Sequence, residues 1–146
     1  MKEKICSFCG HRIIITKNLE SIIEETLINL VERYGYNTFY SGSMGEFDKL
    51  CELVVRRLKR KYRNIKLCRI MYYYSHTMDN ENNLLMFDEI IIPEIEGMYY
   101  KRAIAERNKW MVEQAGIVLC HGHKDYGGAY KMMKYAETIQ KNIINL

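Results

Sequence analysis

A single proline, a single tryptophan and the want of any long apolar run bound what this sequence of 146 residues can be. Pro93 stands alone, no low-complexity stretch occurs and no internal repeat is detectable, so nothing marks a linker or a repeat array. One domain over residues 1–146 is the expectation. No segment approaches the roughly 18 uninterrupted apolar residues of a membrane helix, and Met1-Lys2-Glu3-Lys4 lacks the apolar core of a signal peptide. No membrane association is expected, and the expected location is cytoplasmic. A strong excess of one charge is also missing, with 22 basic against 18 acidic side chains. Nucleic-acid-binding domains usually carry a larger basic surplus, so nucleic acid is not an expected partner. The one basic cluster, Arg56-Arg57-Leu58-Lys59-Arg60-Lys61-Tyr62-Arg63, reads as a solvated helix end, where cations suit the negative pole of the macrodipole. The five cysteines are odd in number and several sit in apolar runs, which points to reduced thiols over a disulfide framework.

What is present alternates between two periods. Lys4 to Cys9 is an apolar run closed by Gly10 and suits a buried strand. Asn18 is the expected N-cap of a helix whose face is Leu19, Ile22, Ile23, Thr26, Leu27, Leu30, Val31 and Tyr34, with Gly35 as its stop. Thr38-Phe39-Tyr40 predicts a second strand, and the loop Ser41-Gly42-Ser43-Met44-Gly45 opens a helix bearing Phe47, Leu50, Cys51, Val54, Val55 and Leu58. Ile65 to Tyr72 predicts a third strand, Tyr73 to Leu85 a long loop or short helix, and Phe87 to Ile92 a fourth strand. A helix from about Met98 to Ala115, stopped by Gly116, precedes the strand Ile117-Val118-Leu119-Cys120. A last helix starts near Gly128 and buries Ala129, Met132, Met133, Ala136, Ile139 and Ile143. Buried strands alternating with amphipathic helices predict an α/β, Rossmann-like doubly wound domain with a mostly parallel sheet of about five strands. Right-handed crossovers gather the strand-to-helix loops at the carboxyl edge of that sheet, where ligands of open α/β sheets bind.

Three loops belong to that edge: Gly10-His11-Arg12, Ser41 to Asp48, and His121 to Gly128. Glycine lets backbone N–H groups approach an anion, and a helix opening behind the loop adds its positive pole. Their coincidence predicts a cradle for a phosphate-bearing ligand.

The same segments resemble the SLOG superfamily in its YpsA-like branch, a Rossmann-type group related to DprA-like and LOG-type proteins. Cys9-Gly10-His11-Arg12 resembles the TGHR opening, Phe39 to Asp48 the strand-loop-helix motif SGxxxGxD, and Arg107 to Glu113 a late helix motif, with Gly127-Gly128 and Lys134-Tyr135-Ala136 completing the order. The resemblance implies a pocket for a nucleotide or nucleotide-derived small molecule, ADP-ribose-like or related, held as a sensor or a sequestering protein would hold it. It implies Gly10, His11, Arg12, Ser41, Gly42, Ser43, Gly45, Asp48, Arg107, Gly127, Gly128 and Tyr130 as ligand contacts. For Asp48, acceptance from a sugar hydroxyl and a helix-capping role both stand open.

LOG-type enzymes pair an arginine helix with a PGGxGTxxE loop. Arg107 and Met111 keep the spacing of the first, while no proline precedes Gly127-Gly128 and Met133 stands where the glutamate belongs. A thioether does no acid-base work, so no catalytic residue is assigned and Arg107 is assigned to an anionic oxygen. LOG-like cleavage of nucleotide N-glycosidic bonds, with Glu137 or Asp48 as the carboxylate, is the alternative.

No cofactor and no metal is expected. Cys6 and Cys9 have half-zinc-site spacing, and Cys120-His121-Gly122-His123 offers more donors. In a strand, however, Cys6 and Cys9 point to opposite faces. Trp110 and Tyr72-Tyr73-Tyr74 read as core aromatics, and Tyr126 and Tyr130 as stacking partners of a ligand. Self-association into a homo-oligomer is a further expectation.

Overall fold

The computed structural model describes residues 3–11, 18–73, 85–95, 99–122 and 125–146. Six parallel strands are described: β1 (Ile5–Gly10), β2 (Thr38–Ser41), β3 (Lys66–Ile70), β4 (Glu89–Ile91), β5 (Ile117–His121) and β6 (Asn142–Asn145). They lie in the order β4-β3-β2-β1-β5-β6. Between them run α1 (Leu19–Tyr34), α2 (Glu46–Leu58), α3 (Tyr100–Gln114) and α4 (Gly128–Thr138).

β2 and β5 are buried at every position, which is what strands without a polar alternation require: helices on both faces. On one face Phe8, Phe39, Leu67 and Leu119 pack against Ile23 and Leu27 of α1 and Phe47, Cys51, Val54 and Val55 of α2. On the other, Cys9, Tyr40, Ile70, Val118 and Cys120 meet Met111 and Val112 of α3 and Met132 and Ala136 of α4. Each such aliphatic or aromatic burial contributes about 1.5–3 kcal/mol before conformational entropy is charged.

The chain winds outward from β1 to β4, then returns through α3 to β5 on the other side of β1. The connections therefore diverge between β1 and β5, and the loops beyond those strand ends are held apart around a crevice. In register, Gly10 faces His121 and Cys9 faces Cys120 across that pair.

Several sequence expectations are corrected here. The sheet has six described strands, because Ile143 belongs to β6 and not to the last helix. Its spacing from Met132, Ala136 and Ile139 is helical, yet Gln140 adopts a left-handed φ of 60° and ends the helix, and Ile143 pairs with Val118 of β5. Asn18 precedes α1 but makes no side-chain cap, since it too is left-handed at φ 61°. The α1 stripe is narrower than expected, with Ile22 and Tyr34 exposed. Gly35 does end α1, at φ 74°. Gly116 plays another part: Ala115 is already extended, and Gly116 donates its N–H to Ile5 O at 2.8 Å, where a Cβ would crowd the Tyr36 hydroxyl at 3.1 Å.

Candidate functional site

At the switch point the structure encloses a cavity of about 420 Å³, bordered by residues of all three expected loops: Gly10 and His11 after β1, Gly42, Met44 and Asp48 after β2, and Tyr126, Gly127 and Gly128 after β5. α3 closes it with Ile104, Arg107, Asn108 and Met111. Ser41, Ser43, Gly45 and Tyr130 do not line it, and Arg12 lies outside the described residues.

Arg107 is 2% exposed and is the largest fully buried side chain among the described residues. Its Nη1 donates to Ile70 O at 2.9 Å and Gly42 O at 3.2 Å, and its Nε to Asn108 Oδ1 at 3.0 Å. The guanidinium lies over the Tyr72 ring, 5.6 Å from its centroid. Burial lowers its pKa from the usual arginine value, opposed by the nearby Asp48 and Tyr72. The absence of a side chain at Gly42 makes room for this: a Cβ there would stand 3.0 Å from Arg107 Cζ.

Asp48 sits in the first turn of α2 and is 9% exposed. One oxygen, Oδ2, accepts the Met44 N–H at 3.2 Å, while Oδ1 is buried without a partner among the described residues. Burial lifts its pKa to about 7, with Glu52 pushing the same way and the Met44 amide and Arg107 pulling down.

The loop between β2 and α2 spends its polar groups internally. Ser41 Oγ and Ser43 Oγ both donate to Glu52 Oε2, at 2.6 and 2.5 Å, and Ser43 N donates to Ser41 Oγ at 3.2 Å. The serines expected at the ligand thus serve the loop, and Ser43 holds a left-handed φ of 53° there. Gly45 is extended at φ −169°, a geometry open to any residue. Glu52 was missed in the sequence, although Asp48, Cys51, Glu52 and Val55 share one helix face at i, i+3, i+4 and i+7.

The glycines differ in kind. A Cβ on Gly10 would lie 2.3 Å from the Phe47 ring, so this glycine admits α2 against the end of β1. Gly127, at φ 93°, and Gly128 open α4 with nothing within 4 Å of an added Cβ. The first amides of a helix have no intrahelical acceptor, so donors without an intrahelical partner stand at this rim.

Cys6 and Cys9 fall in the two opposite cores, as strand alternation requires. Cys9 borders the cavity and donates to Ala129 O at 3.2 Å. Its hydrogen bond with Cys120, then burial, raise its pKa well above the usual thiol value, which keeps it protonated and unreactive. Trp110 stacks on Tyr40 at 5.7 Å, away from the cavity. Glu137 is exposed and paired with Lys134 at 3.3 Å, and Met133 is half-buried outside the cavity. The basic cluster is largely neutralised: Arg56 pairs with Glu52, Arg57 with Glu20 and Glu24, Lys59 with Asp88 and Lys61 with Glu32.

No protein-family model matches this sequence, and no curated protein matches it. Solved structures do share its fold. DNA processing protein A from Streptococcus pneumoniae superposes with a TM-score of 0.69 at 12% identity, over 97% of this chain and 49% of that one. The chain thus spans about half the length of that protein. DNA processing protein A from Helicobacter pylori, described by its single-stranded DNA binding mode, gives 0.66 at 14% identity over 96% and 63%. The molybdenum cofactor binding protein from Rippkaea orientalis gives 0.64 at 17% identity over 99% and 77%. At these identities the likeness establishes the Rossmann-like α/β fold. Among the described residues no helix is long and apolar enough to cross a membrane.

Proposed function

We propose that the chain is a single ligand-binding domain of SLOG type, close to the YpsA-like branch, which holds a nucleotide-derived small molecule as a sensor or sequestering protein. The observation that carries the reading is the buried, partly uncommitted guanidinium of Arg107 facing one cavity with the amide end of α4 at Gly127-Gly128. Among the described residues no carboxylate pairs with Arg107, and a buried cation so placed is costly unless a ligand supplies acceptors. In this reading the helix amides take phosphate, Arg107 donates to another ligand oxygen, and His11 and Tyr126 close the mouth. The order of motifs and the shared fold with DNA processing protein A support the superfamily assignment, and the Rippkaea orientalis neighbour supports a carrier-like role.

The reading adds cytoplasmic location and self-association as proposals, and it takes no DNA: four of the six cations of the basic cluster are paired with acids. Mass spectrometry of ligand released by denaturing the purified protein tests it. A nucleotide-derived molecule recovered intact is the expected result, and Arg107→Ala is expected to reduce its calorimetric affinity by about 10-fold or more.

A specific observation keeps the hydrolase alternative in view. Asp48 is a carboxyl group in the cavity with a pKa near neutrality, the range suited to general acid-base work. Multiple turnovers releasing free base from nucleoside 5′-monophosphates, abolished in Asp48→Ala, would favour cleavage over storage.

A further inference from the structure

Two buried groups of opposite polarity border the same cavity without pairing with each other. Arg107 commits Nη1 and Nε to Ile70, Gly42 and Asn108, and its Nη2 has no hydrogen-bond partner among the described residues. Asp48 commits Oδ2 to the Met44 amide and leaves Oδ1 without a partner among the described residues. Arginine only donates and an ionised carboxylate only accepts, so a single occupant that satisfies both must present an acceptor beside a donor. A phosphate does not: it brings further negative charge toward Asp48 and the neighbouring Glu52. The floor beside them, with Met111 of α3 and Met132 of α4, is apolar and polarisable and suits a flat ring.

We infer that the Asp48–Arg107 end of the cavity recognises the –NH–C(=O)– edge of an oxo-heterocycle such as a 6-oxopurine, and discriminates against the reversed edge of a 6-aminopurine. The inference rests on the nucleotide reading above and adds the orientation: ring on the thioether floor, carbonyl oxygen on Arg107, ring N–H on Asp48, phosphate toward Gly127-Gly128. An aminopurine turned the same way would set its amino group against the guanidinium and its ring nitrogen against the carboxylate. Sites built from buried polar groups discriminate strongly because the wrong ligand leaves those groups unpaired.

The test is calorimetric titration of the whole chain at pH 8 with inosine 5′-monophosphate, adenosine 5′-monophosphate and ribose 5-phosphate. Inosine 5′-monophosphate is expected to bind at least about 10-fold tighter than adenosine 5′-monophosphate. In Asp48→Asn the Met44 amide keeps the side-chain oxygen and the amide NH₂ replaces the acceptor. That variant should lose most of the preference, with circular dichroism confirming the fold. Equal binding of the two nucleotides, or a preference unchanged in Asp48→Asn, overturns the edge assignment and leaves the nucleotide reading intact. Failure of all three ligands to bind overturns both.

Discussion

Asp48 is the residue at which fold and site conflict. Its native pKa stands at about 7 against an ordinary 3.8, so between those values the native state holds a proton that the unfolded chain has released. Stability therefore falls as pH rises through that window, and the penalty is complete above about pH 7. Asp48→Asn removes the titration, and its stability advantage over the parent should grow from pH 4 to pH 7 by up to about 1.4 kcal/mol per pH unit. Urea denaturation of both proteins at pH 5, 6, 7 and 8 measures this; parallel pH profiles would refute it. Two glycines separate packing from binding at the same scale. Gly10→Ala drives a methyl into Phe47 and should lower stability by about 1–3 kcal/mol or more. Gly128→Ala meets open space at a helix start and should leave stability unchanged or raise it by about 1 kcal/mol at most, while weakening any ligand held by the α4 amides. A melting temperature lowered as far as that of Gly10→Ala would show that Gly128 is a packing glycine too.

The elements around the site are joined by short-range devices on α2. Glu52, 5% exposed, accepts the hydroxyls of Ser41 and Ser43 and pairs with Arg56 at 3.5 Å, which ties the end of β2 to the second turn of the helix. Glu52→Ala leaves the buried Ser41 hydroxyl without its acceptor and should cost about 1–3 kcal/mol, read by thermal unfolding, together with shifts of the Ser43 and Met44 amide resonances. A stability loss without movement of those resonances would mean that Glu52 does not hold the loop. At the other end of the chain the turn from α4 to β6 depends on Gln140 at φ 60°, a region costing an L-residue about 1 kcal/mol. Gln140→Gly should therefore leave stability unchanged or raise it by about that amount, and a clear drop in melting temperature would show that the Gln140 side chain contributes more than its backbone costs.

For the whole molecule, the order β4-β3-β2-β1-β5-β6 puts the fully buried strands in the middle and the short, half-exposed ones at the edges. Hydrogen exchange should accordingly be slowest for amides of β1, β2 and β5 and fastest for β4 and β6. Slow exchange at Ile143 and Ile144 equal to that of Val118 and Leu119 would show that an edge is covered in solution, as self-association would cover it.

Periodicity in the sequence determined the helices and the inner strands, because their buried faces repeat at 3.6 or run unbroken over four to six apolar residues. It also determined that loops after β1, β2 and β5 would meet, since parallel strands with right-handed crossovers leave them no other edge. Local pattern failed where one spacing served two structures: Ile143 continues a helical face as well as it pairs with β5, and only the left-handed turn at Gln140 chose between them. It failed again where a motif residue had a nearer partner than a ligand, as for Ser41 and Ser43 on Glu52. The burial of Arg107 against the carbonyls of Gly42 and Ile70, and of Asp48 with one oxygen unpaired, was decided by the tertiary structure alone. Those contacts span 65, 37 and 4 residues of chain, and the desolvation that gives both groups their chemistry exists only once β2, α2 and α3 close on one another.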